Sequence, residues 1–197
     1  MNKMKSILLC ISLCLIFLLK SALTEAALHP YYTPKDFHTH YNINAALLNS
    51  SPKIQENPLL RAPTLSALKR RTDNHFAAYF NEILPGGEIW IKALPNGKID
   101  TILVAKEIDG FVNYHGKRVP KEILNYCVVE MVILTTLGYP TDKHSIDKGN
   151  ETFLNLLNSY PTETVEYLYN PALNITYCVG LKRDNGRLYL YISTPAE

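Results

Sequence analysis

The sequence lacks the short motifs by which common catalytic and cofactor sites are recognised. It contains no glycine-rich phosphate-binding loop, no serine nucleophile elbow, no HExxH zinc motif and no paired CxxC motif. Internal repeats and low-complexity tracts are also missing. Because nothing in the sequence marks a cofactor site, we predict no cofactor, and the sequence leaves open whether the protein is an enzyme.

The sequence has little excess charge of either sign. Its 20 Lys and Arg residues against 18 Asp and Glu residues give a formal net charge of +2. Residues 1–26, with three lysines and one glutamate, account for all of that excess. A domain without net positive charge has no long-range field to hold a polyanion. The single basic cluster, Lys69-Arg70-Arg71, is typical of a solvated helix face, so we predict no nucleic-acid partner.

The N-terminus carries a short apolar run without charges, from Ile7 to Leu19. A membrane-spanning helix needs about 20 such residues. Lysines precede the run and small residues follow it, as in a secretory signal peptide. Cleavage after Ala26 fits this pattern best, and an uncleaved signal anchor is the alternative. We therefore predict that residues 1–26 are a signal peptide, that the protein is secreted or periplasmic, and that it meets the membrane only through this segment if it stays uncleaved.

Cysteine is scarce, since beyond residue 26 the chain has only Cys127 and Cys178. Two cysteines in an oxidising compartment most simply form one disulfide, which we predict for this pair. A buried free thiol at Cys127 is the first alternative, because valines follow it. A catalytic thiol with His75, His115 or His144 as its base is the second alternative, although no sequence signature supports it.

About 170 residues follow the predicted signal peptide, enough for one domain with a single core. Residues 27–63 are rich in proline and predict an irregular segment, with a possible helix from Thr33-Pro34 to about Leu48. Residues 64–197 predict a single α+β domain. Its first part, residues 64–84, predicts a helix from one stripe at helical spacing: Leu65, Leu68, Thr72, Phe76, Tyr79 and Ile83.

The pattern then changes to the alternation of a β-hairpin. Asn96-Gly97, a strong hairpin-turn signal, lies between strands predicted over 88–94 and 99–106. A two-residue turn there pairs Ile91 with Ile102, Trp90 with Leu103, and Leu94 with Ile99. Because both faces carry apolar residues, we predict that this hairpin lies near the sheet centre or is covered on both sides. A short strand over 111–114 follows.

Residues 120–137 predict the central helix of the fold. Their Val, Ile and Thr content favours a strand, but the apolar run is too long for an average strand and Pro120 suits a helix start. The helix is apolar on nearly all sides, which indicates burial. Glu130 within it is a candidate acid or base, since burial raises the pKa of a carboxyl; a position at the helix edge or pairing with a lysine is the alternative. A shorter helix is predicted near 152–158.

The C-terminal segment predicts three strands, over 164–170, 174–183 and 187–193. The Asn185-Gly186 turn sets a register that sorts apolar from polar residues. It pairs Leu181 with Leu190 and Val179 with Ile192 on one face, and places Lys182, Tyr189 and Tyr191 on the other. The predicted fold class is therefore α+β, with a helical N-terminal half, a β-hairpin, a central apolar helix and a three-stranded antiparallel meander. The strands would form one mixed or antiparallel sheet with the helices on one side.

The segment Asp36-Phe37-His38-Thr39-His40 is a candidate metal site. On a strand, histidines two residues apart point the same way and can share a metal ion; the segment is also compatible with a helix. These five residues resemble the first metal motif of the amidohydrolase and PHP-type phosphoesterase barrels. The resemblance implies metal-dependent hydrolysis with His38 and His40 as ligands. A zinc ion would need a third ligand, for which Asp36, His29 and His75 are the candidates. The chain is too short for such a barrel, which needs about 200 or more residues. It also lacks the hydrophobic strand that should precede the motif.

The leading functional interpretation is a secreted or periplasmic binding or interaction protein. It would present Tyr189, Tyr191 and Lys182 to a protein or small-molecule partner. The 13 tyrosines of the chain are many for its length, and tyrosine combines an apolar body with a hydroxyl. Cross-strand packing of the tyrosines is the alternative role. The alternative functions are a small secreted hydrolase, for which a metal-dependent site around His38 and His40 is the candidate, and an inhibitor or toxin-like effector.

Overall fold

The computed structural model describes residues 27–56, 61–73, 76–84, 86–114 and 116–195. The predicted signal peptide, residues 1–26, lies outside them. The described strands are β1 (Lys69–Asp73), β2 (Phe76–Leu84), β3 (Gly87–Ala93), β4 (Ile99–Glu107), β5 (Phe111–Tyr114), β6 (Lys117–Pro120), β7 (Thr164–Asn170), β8 (Ile175–Asp184) and β9 (Arg187–Ser193). The described helices are α1 (Pro34–Asn49), α2 (Pro52–Gln55), α3 (Ile123–Thr136) and α4 (Lys143–Ser159).

Seven of these strands form one antiparallel sheet in the order β1-β2-β3-β4-β9-β8-β7. The pairing of β4 with β9 joins the first hairpin to the C-terminal meander, so the two β segments share one sheet as predicted. Strands β5 and β6 form a separate two-stranded sheet. The α+β class is confirmed.

Residues 64–84 form no helix, so the helix predicted there is wrong, and among the described residues the N-terminal half is helical only in α1 and α2. Residues 61–68 have no regular structure, and β1 and β2 follow. Strand β2 pairs with β1 on one side and β3 on the other, which satisfies its backbone groups along both edges. Aromatic residues such as Tyr79 and Phe80 also favour strands. The strand pairing therefore determines the structure of this segment, although six of its residues follow a helical spacing.

The basic cluster Lys69-Arg70-Arg71 accordingly lies on a strand and not on a helix. It belongs to β1 at one edge of the large sheet, and all three residues are exposed. Charged side chains on an edge strand discourage pairing with the strands of other molecules.

Helix α1 confirms the helix predicted from Thr33-Pro34. Thr33 Oγ1 accepts a hydrogen bond from the backbone N–H of Asp36 at 3.3 Å. The Asp36 carboxylate in turn accepts one from the Thr33 N–H at 2.9 Å. This reciprocal pair is a capping box. Pro34 suits the first turn, because backbone N–H groups there have no partner inside the helix and proline has no N–H.

Helix α3 confirms the central helix predicted over 120–137. It ends at Gly138, which has a φ of +82°. The N–H of Tyr139 donates to Leu134 O at 2.9 Å, and that of Gly138 donates to Thr135 O at 3.0 Å. These two bonds form a Schellman motif, which favours glycine at the left-handed position. Helix α4 is longer than the helix predicted near 152–158, because Asp142 caps its start.

The predicted registers hold with one exception. In the first hairpin Ile91 pairs with Ile102 and Trp90 with Leu103, but the predicted pairing of Leu94 with Ile99 is wrong. The register shifts after Lys92, so that Ala93 faces Ile99. In the C-terminal hairpin the pairs are Leu181 with Leu190, Val179 with Ile192, Lys182 with Tyr189 and Gly180 with Tyr191, as predicted.

The core lies between one face of the large sheet and the helices. Tyr126 of α3 donates its hydroxyl hydrogen to Leu188 O at 2.8 Å, and Tyr177 of β8 donates to Leu137 O at 2.7 Å. Phe37 and Tyr41 of α1 belong to the same core. Helix α3 is thereby fixed against the sheet, with α1 and α4 beside it. No helix within the described residues has the length and apolar character of a membrane span.

Candidate functional site

The helices α1, α3 and α4 enclose a groove with a volume of about 410 Å³. The segment that connects α3 to α4 also lines it. We call this feature the helical groove. Its lining residues are Asn44, Leu47 and Leu48 from α1, Cys127, Glu130, Met131, Val132, Leu134 and Thr135 from α3, Tyr139, Pro140 and Thr141 from the connecting segment, and Ser145, Ile146, Gly149, Asn150 and Phe153 from α4.

The helical groove is apolar and lies within the size range of small-molecule sites. Leu47 is 65% exposed and Ile146 is 40% exposed, although both side chains are large and apolar. On α4, Gly149 leaves open space, since a Cβ at this position would have no described atom within 4 Å. The missing side chain at position 149 thus keeps the groove wide between α3 and α4.

Glu130 lies at the base of the helical groove. Its side chain is 3% exposed, and its Oε1 atom has no hydrogen-bond partner within the described residues. Burial raises the pKa of this carboxyl to about 8, because water that would solvate the charged form is excluded. The carboxyl is therefore mainly protonated at neutral pH. The two alternatives considered for Glu130 were a position at the helix edge and pairing with a lysine. Neither applies, because the side chain is buried and no lysine is among the residues that line the groove.

Cys127 lines the same groove, one helical turn before Glu130. Burial and the nearby Glu130 charge raise the pKa of the Cys127 thiol to about 12, so the thiolate that a nucleophile needs is rare. This raised pKa does not favour the alternative of a catalytic thiol.

The predicted disulfide between Cys127 and Cys178 is not formed in the structure, where both residues are free thiols. Tyr177 and Val179 are fully buried against the helices. Since successive side chains of a strand alternate, Cys178 lies on the opposite face of the sheet. The sheet therefore separates the two sulfur atoms. The disulfide prediction, made from the compartment and the cysteine count, did not use the strand alternation that separates them.

His38 and His40 do not converge on a common point. Both lie on α1, where residues two apart are rotated by about 200°. The His38 Nε2 atom lies 3.0 Å from Leu65 O. The His40 ring stacks on Tyr32 with centroids 4.7 Å apart. The shared direction expected for a strand is lost on this helix.

The candidate third ligands are also engaged elsewhere. The Asp36 carboxylate caps α1, and the His29 ring stacks on Tyr32; His75 lies outside the described residues. No group of three or more His, Cys, Asp and Glu side chains suited to a metal ion occurs in the described part of the chain. The hydrolase interpretation thus loses the feature on which it rested.

The predicted binding residues Tyr189, Tyr191 and Lys182 do lie together on the sheet face that points away from the core. Both tyrosines are half-buried. The Tyr191 ring lies over Gly180, where a Cβ would overlap it. The Lys182 ammonium lies 3.5 Å from the Glu163 carboxylate.

Further aromatic residues extend this surface, which we call the open sheet face. Phe80 and Trp90 stack there with ring centroids 4.6 Å apart, and Trp90 lies beside Leu103 in the register. At the other edge, Tyr167 and Tyr169 of β7 are 61% and 56% exposed. The open sheet face is thus an aromatic surface interrupted by ion pairs.

Comparison with known proteins gives no relative: the chain matches no family model, no curated protein and no solved structure. The described residues offer two candidate functional surfaces, the helical groove and the open sheet face. The sequence indicated the open sheet face through the Asn185-Gly186 register. It did not indicate the helical groove, although Glu130 inside an apolar run was a visible signal for it.

Proposed function

We propose that the protein is a binding protein whose helical groove holds a small, largely apolar ligand. The observation that carries this proposal is the Glu130 carboxyl, which is buried at the base of an apolar groove with Oε1 unpartnered. A buried polar atom without a partner costs about 1–3 kcal/mol. A ligand that offered a partner would offset this cost and cover the exposed apolar side chains of Leu47 and Ile146.

The size and lining of the groove support the same proposal. Small-molecule sites are concave and mostly apolar, with few polar groups that orient the ligand. Besides Glu130, the groove is lined by a few uncharged polar side chains, among them Asn44 on α1 and Ser145 on α4. Action outside the cytoplasm is part of the proposal and rests on the predicted signal peptide.

A titration with Nile red, a neutral dye that fluoresces in apolar surroundings, tests the proposal. We expect saturable binding at one site. Gly149→Phe would fill the open space beside α4 and should weaken dye binding at least tenfold. Phenylalanine in place of glycine also favours the helix, so folding should be retained.

Asn155→Phe is the matched control, because Asn155 is an exposed residue of the same helix that does not line the groove. This variant should bind the dye as the unmodified protein does. Equal loss in both variants, or no saturable binding in the unmodified protein, would contradict the proposal.

A second candidate function is recognition of a protein partner by the open sheet face. The half-exposed Tyr189 and Tyr191, continued by Phe80 and Trp90, support it, since large aromatic residues are enriched at such interfaces. A photo-crosslinking amino acid at position 189 should capture a partner, and the same group at the exposed Leu154 of α4 should not. Capture at both positions, or at neither, would contradict this role.

A further inference from the structure

The ionisable groups that line the helical groove are few, and all of them are acids. Among the described lining residues, Glu130 is the one carboxyl, and none is Lys, Arg or His. The other titratable groups of the lining are Cys127 on α3 and Tyr139 in the connecting segment, and α1 and α4 contribute none. Hence no cation of the groove compensates a negative charge on Glu130.

This composition discriminates among classes of apolar ligand. A fatty acid would bring a carboxylate into a groove that has no cation to compensate the cost of removing this charge from water, and it would also repel Glu130 whenever Glu130 is ionised. A neutral alcohol or ketone would form one neutral hydrogen bond. A protonated amine would form a charge-assisted hydrogen bond, which is roughly twice as strong, and would neutralise the carboxylate.

The remaining polar side chains also suit an ammonium group. An ammonium has three N–H donors and no acceptor, so it needs several oxygen atoms. The groove offers oxygen atoms without a competing positive charge: Asn44, Thr135, Thr141, Ser145 and Asn150.

We propose that the ligand of the helical groove is an apolar molecule that carries a protonated amine, and that this ammonium group pairs with the Glu130 carboxylate. This inference rests on the proposed function, because it presumes that the groove binds an apolar ligand. It adds the polar group that the ligand carries and the residue that selects for it.

The pairing has a defined proton balance. With a pKa raised to about 8, the Glu130 carboxyl is mainly protonated at neutral pH. The ammonium keeps its proton, and the carboxyl releases one proton to solvent on binding. Affinity for the amine therefore rises with pH up to about 8, by at most about tenfold per pH unit. Cys127 and Tyr139 do not interfere in this range, since burial raises the pKa of both side chains.

A neutral ligand has the opposite dependence. It binds the protonated carboxyl, so its affinity is constant below pH about 8 and falls above that value as the unpaired carboxylate forms in the groove. The sign of the pH dependence thus distinguishes the two ligand classes in the unmodified protein, without a variant at the site.

Calorimetric titrations with octylamine, octanol and octanoate provide the test, because the three probes share one alkyl chain. At pH about 7.5 we expect octylamine to bind roughly tenfold more tightly than octanol, and octanoate more weakly than both. Octylamine binding should strengthen between pH about 6 and about 8 and release a proton. Octanol affinity equal to or above that of octylamine, or a decline in octylamine affinity over this range, would overturn the inference.

Glu130→Gln keeps the shape of the side chain and removes its charge. It should abolish the amine preference, so that octylamine no longer binds more tightly than octanol. Glu151→Gln, at an exposed carboxylate of α4, is the control and should bind all three probes as before. An amine preference that persists in Glu130→Gln would show that another group holds the ammonium.

The failure of this inference and that of the proposed function give different results. If octanol and Nile red bind and Gly149→Phe removes both, while octylamine has no advantage, the groove binds apolar ligands and only the amine is wrong. If none of the apolar probes binds saturably, the proposed function itself fails.

Discussion

Glu130 illustrates how much a single side chain can depend on its surroundings. Its neighbours in the sequence are apolar, and α3 buries it between the core and the helical groove. A charged carboxylate there would lack a partner, so burial keeps the proton on and raises the pKa to about 8. A carboxyl in this state is costly to the fold unless a ligand completes its hydrogen bonding.

The raised pKa of Glu130 predicts a specific pH dependence of stability. In the unfolded chain the carboxyl loses its proton near its ordinary pKa of 4.5, whereas in the folded protein it keeps the proton up to about 8. The folded state thus binds more protons within this window, and its stability falls as pH rises through it. Glu130→Gln cannot titrate and should remove this decline.

Thermal unfolding of the ligand-free protein from pH about 4 to about 8 checks the prediction. The melting temperature of Glu130→Gln, relative to the unmodified protein, should increase across this range. Parallel curves for the two proteins would mean that Glu130 titrates normally and is solvated in the folded state.

At the scale of elements, each wall of the helical groove has a local reason to be where it is. The capping box of Thr33 and Asp36 fixes the start of α1. The Schellman turn at Gly138 ends α3 and directs the chain towards α4. Asp142 then starts α4 by accepting a hydrogen bond from the Ser145 N–H at 3.1 Å. The helix ends thus contribute to the shape of the groove, in addition to the apolar residues that line it.

The capping box supplies the prediction at this scale. Thr33→Ala removes the side-chain oxygen that accepts from the Asp36 N–H, and should lower the free energy of unfolding by about 1 kcal/mol. Thr39→Ala in the same helix is the control, since Thr39 is exposed and its hydroxyl donates only to Lys35 O, at 3.2 Å. Urea unfolding of both variants measures the difference. An equal, small effect of the two changes would mean that the cap does not stabilise α1.

The elements whose signals are local could be predicted from the sequence. Thr33-Pro34 marked α1, and the Asn185-Gly186 turn marked the register of β8 and β9 down to single residue pairs. Residues 64–84 were mispredicted because β2 is stabilised by pairing with strands on both sides. The hydrophobic periodicity of a segment does not reveal such pairing with other strands. The helical groove could not be predicted either, since α1 is distant in the sequence from α3 and α4 and meets them only in the folded core.

For the molecule as a whole, the sheet separates two surfaces of different character. On one side, the helices bury the apolar residues of the sheet and form the helical groove. On the other, the open sheet face exposes aromatic residues between ion pairs such as Arg187 with Glu88, 3.4 Å apart. The two cysteines are divided by the same sheet, with Cys127 on the groove side and Cys178 beside Tyr191.

This separation predicts two free thiols. Thiol titration of the denatured, unreduced protein should find both Cys127 and Cys178 reduced, in addition to any cysteine of residues 1–26 that remains. In the folded protein, alkylation of Cys127 at pH about 8 should be slow, since a pKa of about 12 leaves little thiolate. Mass spectrometry of the modified peptides measures both. A Cys127–Cys178 cross-linked peptide would contradict the arrangement of helices and sheet described above.

The most direct test of the binding proposal is the location of an apolar ligand by methyl NMR during a titration with octanol. If the helical groove binds the ligand, we expect saturable shifts at Leu47, Met131 and Ile146, which line it. The signals of Leu103 and Val165, which lie on the open sheet face, should not change. Shifts confined to Leu103 and Val165, or no saturable shift at any of these methyl groups, would contradict the binding proposal.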